Sequence, residues 1–465
     1  MSNADDPSLS EAGLAPVARK PVPVFTQGST LRHVLSMTAS GAVGLVAIFI
    51  VDLLSLLYVS RLGDHVLTAS VGFASQVMFF AMSANIAMAI AISATVSRAL
   101  GAGKRPRAQR YAASGLVHVA GVSILVSSLM FIFRGQLLDL VGARGAAHEI
   151  ASRYLSITLP STCFMALGMS LQGLVRAVGD PRRAMYVTLT GAVVTAGLDP
   201  LLIFGLGFGV YGAAIATVVS RLIFTLVGSW GAIYVHGIVG RPERKWVLRD
   251  LAPIMAIAAP AILTNLATPV GNTYAMRVFA SFGEETVAAF AIIDRIAPVA
   301  FGVLFALTGS IGPIIGQNFG AGLYDRIRRA MLDCFVVSGA YVLVVWFLLW
   351  LAGPTIVKIF AADGGTRDLV LFFCAVGSAA WLALAGLFVA NAAFNNLGFP
   401  ILATLFNWGR ATLGTIPFVT YGAHRWGPEG GYAGMIAGAA LFGAAAVLTC
   451  FYVTAKLARQ GPPKM

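Results

Sequence analysis

Two aspartates interrupt runs of apolar residues that carry no other charge. Asp52 lies in VAIFIVDLLSLLYV and Asp199 in LDPLLIFGLG. On insertion scales a charged side chain at the centre of such a run costs about 2.5–3.5 kcal/mol, so its retention points to function. The chemistry open to a carboxyl there is reversible binding of a proton or a small cation. Pro200 lacks an N–H and disfavours helix at the residue before it, so a kink is expected beside Asp199, with the Ala196 carbonyl freed. Thr195 stands four residues earlier on the same helical face and is expected to hydrogen-bond the carboxyl. The competing assignment for Asp199 is a helix cap near the outer surface. Ser55 lies one turn beyond Asp52, and no basic residue in that run is near enough to pair with Asp52. If both aspartates share one cavity their titrations are coupled, and the pair could release a proton as a cationic substrate enters. The alternative for Asp52 is a solvated, pore-lining carboxylate with no coupling role.

The second half offers neutral polar groups instead. Asn265, Asn272, Asn391 and Asn407 fall in apolar runs and could line a site, the first three being candidates for substrate binding. Met82, Met165 and Met169, with Phe79, Phe80 and Met88, are soft or aromatic side chains suited to an adaptable pocket. Asp294 and Arg295 are adjacent and point apart; Arg295 reads as a structural clamp, as do Arg277, Asp333 and Arg410. The run Gly101-Ala102-Gly103-Lys104-Arg105 lacks the earlier glycine of a phosphate loop and has Arg105 where Ser or Thr would bind magnesium. Gly207, Gly209 and Gly212 have dinucleotide-loop spacing but no strand before them. The six histidines lack metal-ligand spacing, and no serine sits in a nucleophile elbow. Cys163, Cys334, Cys374 and Cys450 read as buried small apolar residues. These absences argue against an enzyme and against a bound cofactor, and leave an ion gradient, of protons or sodium, as the energy source.

The elements that must hold these residues are membrane-spanning helices. Of 465 residues, 58% are hydrophobic and 11% charged, where soluble proteins carry about 25% charged. Twelve candidate spans lie near 33–59, 65–97, 110–133, 151–176, 185–208, 211–237, 250–280, 286–316, 328–352, 368–394, 400–421 and 430–457. Basic residues gather after spans two, four, six and eight: Lys104 to Arg110, Arg182 and Arg183, Arg241 to Arg249, and Arg326 to Arg329. That pattern explains the net charge of +13 without nucleic acid, and places both termini in the cytoplasm. The expected location is the inner membrane of the cell, as a monomer among lipids.

The chain also repeats itself at a shift of about 220 residues. RLGDHVLTASVGF (61–73) aligns with SFGEETVAAFAI (281–292), and SRALGAGKRPR (97–107) with QNFGAGLYDRIRR (317–329). Gly179-Asp180-Pro181 aligns with Gly398-Phe399-Pro400. Six spans per half is an even number, so the repeat is parallel, and a site between the halves is expected. The expected organisation is a disordered tail (1–30), a first lobe (31–240), a linker (241–250), a second lobe (251–457) and a short tail (458–465).

RLG near the end of span one, SRALGAG, GLVRAVGDPRRA (173–184), LDPLLIFG, YGAAIATVVSR (211–221) and GPIIGQNFGAGLYDRIRRA (312–330) together resemble the multidrug and toxic compound extrusion (MATE) transporters. The resemblance covers nearly all of residues 31–457. It implies an all-α membrane protein of two six-helix lobes, and export of cationic or amphipathic small molecules in exchange for protons or sodium. The family's span-five aspartate falls on Asp199, and the asparagine usual four residues earlier is Thr195 here. Many relatives carry an aspartate at the position of Ser55; Asp52 is one turn earlier, about 4.5 Å along the axis. A proline common near the start of that span is Ser40. Thr268 and Gly386 stand where some relatives have acids in spans seven and ten, which favours coupling through the N-terminal lobe. A lipid-linked saccharide flippase of the same superfamily would be expected to line its cavity with several arginines or lysines, and the acids in the first lobe disfavour it. A membrane-embedded enzyme, or a transporter without coupling, are the remaining alternatives.

Overall fold

The computed structural model describes residues 23–62 and 65–461. Among these the chain is helical throughout. The spans are α1 (Thr30–Val59), α2 (Val66–Gly101), α3 (Arg105–Ile132), α4 (Gly145–Ala177), α5 (Pro181–Gly205), α6 (Gly209–Val235), α7 (Arg244–Ala280), α8 (Glu284–Gly320), α9 (Tyr324–Ile359) and α10 (Gly377–Leu397). One further helical stretch, Pro400–Gln460, breaks at Trp426 and Gly427, whose dihedral angles are not helical. Gly427 takes φ 68°, a left-handed value that glycine adopts without strain. The break makes two spans, α11 (400–425) and α12 (428–460), and the total is twelve. Helices α1–α6 and α7–α12 form two lobes.

The lobes meet at the end that carries the basic loops. A Cβ on Gly101 would lie 1.9 Å from the Gln317 carbonyl oxygen, and one on Gly320 would lie 2.0 Å from that of Arg98. Only glycine lets α2 and α8 cross so closely. Three residues before each glycine stands a side chain that reaches into the other lobe. Arg98 donates from Nε to the Asn396 carbonyl at 2.9 Å and from Nη2 to the Asn395 carbonyl at 2.6 Å. Gln317 donates from Nε2 to the Ala177 carbonyl at 2.7 Å. Helix α2 thus clasps α10 while α8 clasps α4, as a parallel pseudo-twofold repeat requires. Among the described residues, the hydrogen bond between lobes farthest from this end joins Asn265 Nδ2 to the Ser83 carbonyl at 3.2 Å.

Two boundaries differ from the sequence expectation. Residues 23–29 are not a disordered tail. Phe25 is 1% exposed, its N–H donates to Gln317 Oε1 at 2.9 Å, and its carbonyl accepts from Asn318 at 3.1 Å. Arg326 adds bonds to the carbonyls of Phe25, Gln27 and Gly28. One buried phenylalanine supplies the apolar area that the Pro-rich composition hid, and residues 1–22 lie outside the described residues. Likewise the 241–250 linker is largely helix. Helix α7 starts at Arg244, and Asp250 is buried against α3 through Arg110 (2.9 Å) and Ser114 (3.1 Å). An ion pair with its remaining oxygen bonded is what permits a buried aspartate there. Gly461 accepts a bond from the Tyr324 hydroxyl, so both ends of the described chain lie at the basic-loop end. Phe25→Ala is expected to destabilise the fold by about 3 kcal/mol, through lost burial and the cavity left behind. A lower melting temperature in detergent would report it, and an unchanged one would show that the segment is not anchored.

Candidate functional site

Helix α5 presents Asp199 to the inside of the first lobe, where it is 1% exposed. The Ser55 hydroxyl on α1 donates to Asp199 Oδ2. Asp199 Oδ1 is buried with no hydrogen-bond partner among the described residues. Asp52, one turn before Ser55 on α1, is exposed and lies within charge range of Asp199. The structure brings the two carboxyls within charge range of each other, as the sequence reading required for coupled titration. A pair of carboxyls with one orphan oxygen can hold a proton or present two oxygens to a cation.

The local backbone differs from the expectation. Helix α5 runs through Pro200 with helical dihedrals and widens just after it into a π-turn, Leu201–Gly205. Leu206 N–H reaches back to the Leu201 carbonyl at 2.8 Å. Such π-turns recur at functional sites. Thr195 does not bond Asp199. Its hydroxyl donates to the Gly191 carbonyl of its own helix at 3.1 Å, the usual back-bond of a helical threonine. The Gly191 carbonyl also accepts from Ser220 at 2.8 Å.

Two residues of the site escaped the sequence reading. Tyr154 on α4 lies beside Thr217 and within charge range of Asp52, Asp199 and Arg221. Arg221 on α6 is itself tied to the Thr158 carbonyl (2.9 Å) and the Ser161 hydroxyl (2.8 Å). Its position in YGAAIATVVSR was on the page, but nothing in a single helix says that it faces this site. Among the described residues no group of three or more His, Cys, Asp or Glu is placed to hold a metal.

The second-half candidates are scattered. Asn391 is buried and accepts from Asn407 at 2.9 Å, a packing contact between α10 and α11. Asn265 makes the interlobe bond to Ser83, and Asn272, seven residues on, is half-buried with no side-chain partner among the described residues. Met82 is exposed, while Met165 and Met169 are half-buried on α4. Arg295 makes no ion pair among the described residues, so the clamp expected of it is absent. Arg410 bonds the Thr268 hydroxyl at 3.0 Å and nothing acidic.

Two lobes of six apolar spans, with a carboxyl buried in the first, form the frame of a membrane transporter rather than an enzyme, and the family match bears this out. The chain belongs to the MatE family, whose pattern matches residues 42–201 and 260–419, one copy in each lobe. It is 27% identical to the FAD transporter of Shewanella oneidensis, over 86% of this chain and 89% of that protein. It is 21% identical to the multidrug export protein MepA of Staphylococcus aureus, over 86% of both chains. The fold matches the crystal structure of a mutant of the Vibrio cholerae MATE transporter VcmN with a TM-score of 0.86, at 23% identity, covering 93% of this chain and 97% of that one.

Proposed function

We propose that the protein is a secondary active antiporter of the inner membrane, exporting amphipathic organic cations in exchange for protons by alternating access. Coupling runs through Asp52 and Asp199, with Ser55 positioning Asp199. The observation that carries the reading is the orphan oxygen of Asp199 with a second, exposed carboxyl, Asp52, within charge range. Substrate cation and proton compete for the same negative charge, so each leaves when the other binds. At about 150 mV one charge crossing the membrane gains roughly 3.5 kcal/mol, enough for a gradient of a few hundredfold. MepA, named for multidrug export, supports an amphipathic substrate class.

The test is ethidium movement in proteoliposomes under an imposed pH gradient and, separately, an imposed sodium gradient. Movement under the pH gradient alone supports the reading. Movement under sodium alone reassigns the carboxyls to a sodium site. No movement under either, with folded protein, rejects the cation-export reading and turns attention to lipid-linked substrates.

A further inference from the structure

Helix α11 of the second lobe carries an arginine, Arg410, whose surroundings are polar but not acidic. Asn265 bonds Ser83 where the lobes touch. Thr268 and Asn272 follow three and seven residues later on α7, so they share that face. Thr268 is exposed. Arg410 on α11 reaches this face. Its Nη2 donates to Thr268 Oγ1 at 3.0 Å, while its Nε is buried without a partner among the described residues. No carboxylate pairs with it among those residues. Arg410 also opens a π-turn, Arg410–Gly414, and α11 is held close to α7 there, since a Cβ on Gly271 would lie 3.2 Å from Ala411.

The second lobe holds another unpaired guanidinium. Gly302 on α8 faces Phe49 of α1, and Arg295, seven residues earlier on the same face, is exposed and unpaired among the described residues. The adjacent acid, Asp294, is within charge range of Tyr432 inside the second lobe. On α2, Phe79 and Phe80 lie four and three residues before Ser83 and are 47% and 44% exposed.

We infer that Arg410, with Thr268 and Asn272, forms an anion subsite that holds a phosphate or carboxylate on an aromatic amphipathic substrate. A guanidinium with no carboxylate partner and an unpartnered Nε has hydrogen-bonding capacity that an anionic ligand fills well. The phenyl rings on α2 supply the surface for the aromatic body. The subsite rests on the exporter reading but asks for a substrate with negative charge as well as an apolar body.

The test compares binding of flavin mononucleotide and riboflavin, one ring system with and without a phosphate, to the purified full-length protein in phosphatidylcholine nanodiscs. Wild type is expected to prefer the phosphorylated form by at least about tenfold, as hydrogen bonds to a charged group warrant. Arg410→Gln should abolish that preference and leave riboflavin and ethidium affinities unchanged, which a merely structural arginine would not do. If that variant does not fold, Asn272→Ala removes an unpartnered amide and should reduce the preference in part. A wild type without preference, or a preference that survives in the folded variants, overturns the subsite. Loss of the preference when phosphatidylglycerol is added would make the occupant a lipid headgroup and overturn the substrate assignment. Ethidium export is read separately. Export without phosphate preference rejects only the subsite, and a preference dependent on Arg410 without proton-driven export rejects only the coupling.

Discussion

Asp199→Asn is expected to reduce ethidium export driven by a pH gradient to the level of protein-free liposomes. The amide has the shape of the carboxyl and can still accept from Ser55, so the lobe keeps its packing. It cannot take up or release a proton, so the driving ion loses its carrier. Binding should survive. At roughly 8 Å and an effective dielectric near 20, one charge contributes about 2 kcal/mol, so ethidium affinity falls by no more than about 30-fold. Asp52→Asn is expected to behave similarly, because Asp52 lies within charge range of Asp199. The double variant should be no worse than either single one, as residues acting as a unit are not additive. Export that persists under a pH gradient in the Asp199 variant would remove the pair from the coupling mechanism.

Gly320→Val is expected to hold the basic-loop end open and stop transport altogether. Its Cβ would lie 2.0 Å from the Arg98 carbonyl oxygen and 2.9 Å from the Ala102 nitrogen. These are backbone atoms and cannot swing aside. Overpacking of this kind costs about 1–3 kcal/mol, which shifts a two-state equilibrium by about 5- to 150-fold. The cost falls only on the state in which α2 and α8 cross, so the opposite state gains population. Spin labels on Arg182→Cys and Leu323→Cys, both exposed near this end, should move apart in the variant. Gly101→Val should do the same from the other side of the pseudo-twofold axis, where a Cβ would lie 1.9 Å from the Gln317 carbonyl oxygen. Unchanged label distances with normal transport would show that the glycine crossing does not set the closed state.

The amino-acid sequence by itself determined the twelve spans, because backbone groups in lipid must be satisfied within long apolar helices. The 220-residue repeat and the parity of six spans per half determined two parallel lobes. Asp52 and Asp199 were legible as chemistry because a charge in an apolar run is conspicuous. Tertiary structure decided which groups meet. These helices are apolar all round, so no periodicity marks the face that turns inward. That is why Ser55 bonds Asp199 across 144 residues of chain while Thr195, one turn away from it, bonds its own backbone. Tyr154 and Arg221 were invisible as members of the site for the same reason. The closure of one end rests on Gly101 and Gly320 approaching opposing backbone, a distance that no single helix encodes. The meeting of Arg410 and Thr268, 142 residues apart in the chain, likewise showed only in the tertiary structure.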